Sequence, residues 1–351
     1  MGFDDAKISA WAIEKIRTEY PDDVALLIGH GFDKMEQVAP GDTLRYYKGE
    51  FDYFVPETER ALRLSQSFIV NGTGFDLYPR TWESIASMAD LKDCHTSCLA
   101  DANILYARSE ADRSRFEDMR RRLFQNLCSG QYTYERAMDR LNVAIEINQT
   151  MLFSDKLYEV RASAGFILDY LAQAVALING SYFKRGSLYQ LEEMMDFHEM
   201  PPMFAELYKG VTRAQASDEV KQLCQQLVFK TRKFLLHHSP SKPAAPKPDF
   251  FALADWYQEL GHSWAKIYNS CEREDAVRVF FWGCSLQHEL DIIREEFALK
   301  EMDLMGSYAP DDLVPIRKRA EEIERYITDT IIKNSVNIAI YHTVDDFLQS
   351  N

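Results

Sequence analysis

The spacing of apolar residues along this chain changes near residue 130. Residues 4–20, "DDAKISAWAIEKIRTEY", place apolar side chains at three- and four-residue steps and predict an amphipathic helix. "DVALLIGHG" (23–31) is a short apolar run closed by Gly-His-Gly, a strand followed by a turn. "FDYFVP" (51–56) predicts a second strand that ends at Pro56. "QSFIVNGTGFDLYP" (66–79) holds two more strands, with Asn71-Gly72 and Gly74 as turn residues between them. "RTWESIASMADL" predicts a helix and "ADANILYA" a last short strand. Ser109, with Asp112 three residues on, approximates a capping box and opens a long helix.

Beyond residue 130 the period is helical throughout. Val160, Ala164, Ile167, Leu171, Ala174 and Ile178 recur at three and four, and Asn179-Gly180 stops that helix. Further helices are predicted near 187–196, 200–210, 217–237, 250–269, 272–299 and 311–335. "NIAIYHTVDDFL" fits either a strand or a helix. "HHSPSKPAAPKPDF" (237–250), with four prolines, is the clearest linker. The expected fold class is α+β. A small mixed-sheet domain (1–125) precedes an all-α bundle (126–238), a Pro-rich linker (239–250) and a helical region (251–351).

Composition narrows the function classes. The hydrophobic fraction of 46% is enough for a sizeable core, and the formal net charge of −15 argues against a broad nucleic-acid footprint. No secretory signal opens the chain, and Ala6 stands where a myristoylation signal wants Ser or Thr. "AGFILDYLAQAVALI" is interrupted by Asp169 and Gln173 and reads as too short to span a bilayer. A cytoplasmic protein with reduced thiols is expected. Cys94 and Cys98 flank His95, yet no second Cys/His pair at finger spacing accompanies them, so buried thiols are the better reading.

The candidate chemistry lies in carboxylates. In "KGEFDYFVP", Glu50 and Asp52 would share one face of an extended strand, roughly 7 Å apart. Like charges at that range call for solvent or a cation between them. With the strand and Gly-containing turn before it and Asp76 on a later strand, this stretch resembles the nucleotidyltransferase superfamily, the aminoglycoside nucleotidyltransferases in particular.

The resemblance implies a triphosphate held by the turn, with Gly29 in the glycine position and His30 where serine is usual. It implies a metal site of Glu50, Asp52 and Asp76 for Mg²⁺, with ATP or another NTP as donor and a small-molecule hydroxyl as acceptor. Glu50 replaces the family's first Asp, and about twenty residues separate turn from pair. "VRASAGFILDYLAQAVALINGSYFKRG" and "MPPMFAELYKG" resemble the helical substrate domain of those enzymes, where a glutamate acts as base. Here Asp139 and Glu146 are the candidates, Glu146 set among Ala144, Ile145 and Ile147.

Lys184 and Arg185 either hold phosphates or complement a helix C-terminus. Arg120, Arg121 and Arg122 read as a solvated basic face. Two alternatives stay open. One is a catalytically weak nucleotidyltransferase fold kept as a nucleotide sensor or interaction module. The other is a nuclease, on the Arg232-x4-His237 spacing shared with HEPN domains. A homodimer also stays open.

Overall fold

The computed structural model describes residues 5–29, 51–70, 73–240, 248–341 and 343–350. His30, Glu50 and the Asn71-Gly72 turn lie outside the described residues. The chain divides into two compact units, Met1–Pro240 and Ser241–Asn351.

In the first unit, helix α1 (Asp5–Glu19) precedes strands β1 (Val24–Gly29) and β2 (Phe51–Pro56). A 3₁₀ turn (Glu59–Leu64) leads to the hairpin of β3 (Gln66–Val70) and β4 (Thr73–Pro79). Then come α2 (Trp82–Ala89), the single turn α3 (Ser97–Ala100) and β5 (Asn103–Ala107). The sheet order is β3-β4-β2-β1-β5, with β2 and β4 parallel and the other pairs antiparallel, a mixed sheet as expected.

Strand alternation sorts the sheet's side chains into two cores. Leu27, Phe54 and Leu77 pack with Ala12 and Ile16 of α1 on one face. Leu26, Ile28, Tyr53 and Val55 join the core built by the helices on the other face.

Those helices are α4 (Glu110–Leu127), α5 (Gly130–Met151), α6 (Leu157–Ile178), α7 (Gln190–Met194), α8 (Phe204–Arg213) and α9 (Ser217–His237). Capping fixes several starts: Thr81 Oγ1 accepts from Ser84 N, and Ser109 Oγ from Asp112 N. Gly180 stops α6 at φ +61°, with Ser181 N donating to the Ala176 carbonyl. One core runs from the sheet into α5, α6 and α9, so sheet and bundle form a single unit.

Helix α6 corrects one expectation. At 22 residues it is long and apolar enough to cross a membrane. Val160, Ala164, Ile167, Leu171 and Ala174 are instead buried in the core, which accounts for its hydrophobicity.

The second unit has its own core around Trp264, Leu286 and Ile323. It comprises α10 (Phe250–Glu259), α11 (Gly261–Glu272), α12 (Ala276–Glu296), α13 (Val314–Lys333) and α14 (Val344–Ser350). The single helix expected near 250–269 is broken at Leu260. The C-terminal stretch that fitted either element ends in helix.

Candidate functional site

Antiparallel and parallel pairing brings one end of β1, β2, β4 and β5 together. Gly29, the last residue of β1, pairs with Phe51 of β2 and Asn103 of β5. The β1–β2 register runs from Ile28↔Tyr53 to Gly29↔Phe51 and skips Asp52, a β-bulge. Phe51 stays in the α1-side core while Asp52 is turned onto the face of Tyr53 and Tyr78. There Tyr78 OH donates to Asp52 Oδ1 at 2.9 Å.

Asp52 is 8% exposed. Burial, and then the Asp52 charge, hold the Tyr78 phenol and the Cys98 thiol well above their ordinary values. Tyr53 OH donates to the Cys98 carbonyl at 2.9 Å, fixing α3 over this end of the sheet. Asp76 lies two residues before Tyr78 on β4, exposed, and accepts from Ser67 Oγ at 2.7 Å.

A second set of charged groups gathers around the loop after α2, joined by Arg80 from before that helix. Arg80 lies 5.5 and 5.6 Å from the Tyr78 and Tyr53 ring centres and reaches Asp93 Oδ2 at 3.4 Å. Asp93 Oδ1 accepts from His95 Nδ1 at 2.7 Å and from His95 N at 2.8 Å. The His95 hydrogen bond holds the Asp93 carboxyl down at about 2, and Asp93 lifts His95 to about 10. Leu91, at φ +54°, turns the chain here, and Arg140 of α5 donates to the carbonyls of Leu91 and Lys92 at 3.1 and 2.8 Å.

Between this loop and the helices lies a small, solvent-open cleft lined by Asp93, Cys94, Arg140, Gln173, Tyr182 and Phe183 among others. Tyr182 OH donates to Asp101 Oδ1 at 3.0 Å. Asp101 Oδ2 is buried without a hydrogen-bond partner among the described residues. Burial raises the Asp101 carboxyl.

The other sequence candidates fall elsewhere. Glu146 is exposed on α5, between the buried Ala144 and Asn148, so the apolar neighbours that pointed to a buried base lie on the helix's other side. Asp139 is exposed and paired with Arg136 at 3.0 Å. Lys184 N and Arg185 N both donate to Glu193, and the Arg185 guanidinium meets Glu193 and Glu192 at 3.3 Å each. Arg185 therefore fastens its own loop, while the Lys184 side chain is exposed and near enough to draw the Asp101 carboxyl down.

Arg121 and Arg122 pair with Asp118 and Asp90, as a solvated face would. Arg120 instead ties α4 to the Leu99 and Ala102 carbonyls. Arg232 and His237 are both exposed on α9. Cys98 is largely buried but Cys94 is exposed, correcting the expectation of two buried thiols. Sequence reasoning missed Arg80, Asp93 and Asp101 because isolated charges in loops carry no periodic signal. Of this group the sequence singled out only Cys94 and His95.

Residues 150–240 match the family described as the KNTase C-terminal domain, that of kanamycin nucleotidyltransferase. The resemblance to the nucleotidyltransferase superfamily is thus borne out over the helical substrate-domain segment. No curated protein matches the chain. The crystal structure of a nucleotidyltransferase-like protein from Exiguobacterium sibiricum 255-15 is similar at 11% identity, over 93% of this chain and 91% of that one. The TM-score of that similarity is 0.35.

Proposed function

We propose that this protein is a Mg²⁺-dependent, cytoplasmic nucleotidyltransferase that moves NMP, AMP from ATP in the first instance, onto a hydroxyl of a small molecule. What supports this most is the company kept by the KNTase-type segment. In the same compact unit, three adjacent strands bring Gly29, Asp52 and Asp76 to one end of a mixed sheet.

The donors there are carboxylate oxygens, the set a hard divalent cation takes. Asp52 and Asp76, with Glu50, would hold Mg²⁺, which supplies charge neutralisation and alignment at phosphorus when bound. Tyr78 orients the Asp52 carboxylate through its hydroxyl. Gly29 and His30 are proposed to shape the triphosphate turn, with Lys184 as a proposed phosphate partner, a role for which Arg185's two glutamates leave it poorly suited.

The acceptor is assigned to the cleft beside α6. A base there needs a raised carboxyl within reach of the acceptor proton. Asp101, raised by burial and bonded to the cleft residue Tyr182, is proposed as the base, acting through Tyr182 at the cleft wall, in place of the exposed Glu146.

The test is pyrophosphate release from MgATP with a panel of amino-alcohol acceptors. Release is expected from the native chain and a loss of at least about a hundredfold in Asp52→Asn, which keeps an oxygen for Tyr78 to donate to. Equal release by both proteins would remove the proposal. The shielding of Asp52 at 8% exposure favours one second reading, a nucleotide sensor of the same fold. MgATP binding without release for any acceptor would favour it.

A further inference from the structure

We propose that Asp93, Cys94 and His95 form a binding site for a divalent ion of the zinc class, separate from the carboxylates of β2 and β4. The carboxylate oxygen, the thiol sulfur and a ring nitrogen of these three residues all lie within 4.8 Å of one another. Asp93 Oδ1 and Cys94 Sγ converge on the same nitrogen, His95 Nδ1, at 2.7 and 3.6 Å.

That nitrogen carries at most one proton and can serve only one of the two neighbours with it. An ion in place of the proton engages all three at once. Bonds of about 2.3 Å to sulfur and about 2.0 Å to nitrogen set tetrahedral ligands about 3.5 Å apart. The sulfur–nitrogen pair already has that spacing. The oxygen–nitrogen pair has to open by under about 1 Å.

The donor set decides the class of ion. A thiolate and an imidazole with one carboxylate suit zinc or its neighbours, whereas Mg²⁺ and Ca²⁺ take oxygen. The loop is built to hold this arrangement. Lys92 N and Asp93 N both donate to the Ser87 carbonyl at 2.9 and 3.2 Å, and Arg140 grips the two carbonyls before Asp93. Arg80 takes Asp93 Oδ2 and leaves Oδ1 turned to the ring, the outer support that orients a ligating carboxylate.

Cys94 and His95 are exposed, so an ion has a path in. Three protein ligands leave a fourth position. Asp93 and Cys94 also line the cleft, so that position is available to a water or to an oxygen or nitrogen of a bound molecule.

The experiment is titration of Co²⁺ into the full reduced chain, followed by absorbance. One thiolate-bound Co²⁺ per chain is expected, read from a thiolate-to-metal charge-transfer band that Zn²⁺ bleaches by displacement. Cys94→Ser should abolish the band, and His95→Gln should weaken Co²⁺ binding at least tenfold. Cys128→Ser, another exposed cysteine, should leave it unchanged. Asp52→Asn should also leave it unchanged, so the outcome stands apart from that of the transferase proposal. Absence of the band in the native chain, or its persistence in folded Cys94→Ser, would overturn the site.

Discussion

At the scale of single residues, the bulge at Asp52 shows how far a pattern can be followed. Alternation predicts side chains two apart on one face, and it holds for Tyr53 and Val55. One skipped pairing then turns Asp52 toward Tyr78, and nothing in the sequence marks the skip. Its partner Tyr78 comes from a strand distant in sequence.

Asp101 gives a residue-scale prediction with a definite sign. Burial raises its carboxyl, so the folded chain holds that proton more firmly than the unfolded one. The stabilisation is full below about pH 4, where an unfolded Asp titrates, and is lost as pH rises through the raised folded value. Asp101→Asn keeps an oxygen for Tyr182 and removes that loss. Its urea midpoint, relative to the native chain, should therefore be higher at pH 7 than at pH 3.5. A pH-independent difference would contradict the assignment.

Thiol chemistry gives another. Cys94, Cys128 and Cys284 are exposed, whereas Cys224 is buried, which pushes its thiol up to about 12. In the native protein at pH 8 the first three should react with a disulfide reagent and Cys224 should not. Peptide mapping after the reaction checks this.

At the scale of elements, most of the chain was readable because helix and strand periods are set by burial on one side. The cap at Ser109 and the stop at Gly180 lie where turn chemistry put them. The break between α10 and α11 escaped because Trp264 N still donates to the Leu260 carbonyl in helical spacing, and the apolar pattern runs across it. The 3₁₀ turn and α3 escaped because such short pieces have no period to read.

Gly180 is the element-scale test. Its φ of +61° belongs to the left-handed region, and a Cβ there would meet the Leu127 carbonyl oxygen at 3.0 Å. Gly180→Ala should cost about 1–2 kcal/mol, seen as a lower urea midpoint with an unchanged slope. Stability equal to the native chain would mean that the α6 terminus relaxes freely.

At the scale of the whole molecule, the Pro-rich segment was legible as a boundary, and the two compact units divide beside it. The integration of sheet and bundle was not. It depends on which helix faces meet, and Phe116, Leu141 and Leu171 entered one core with Tyr53 only on folding. Residues 1–240 should accordingly fold alone, with a single cooperative melt; a molten fragment would contradict an independent core.

The proposed transferase site would draw on both the sheet end and the helices that match the KNTase C-terminal domain. The measurement that tests it most directly is calorimetric titration of ATP into the full chain with and without Mg²⁺, for the native protein and Asp52→Asn. Binding is expected to require Mg²⁺ and to fall at least tenfold in the variant. Binding that ignores Mg²⁺ and the substitution alike, or no binding to the native chain, would contradict it.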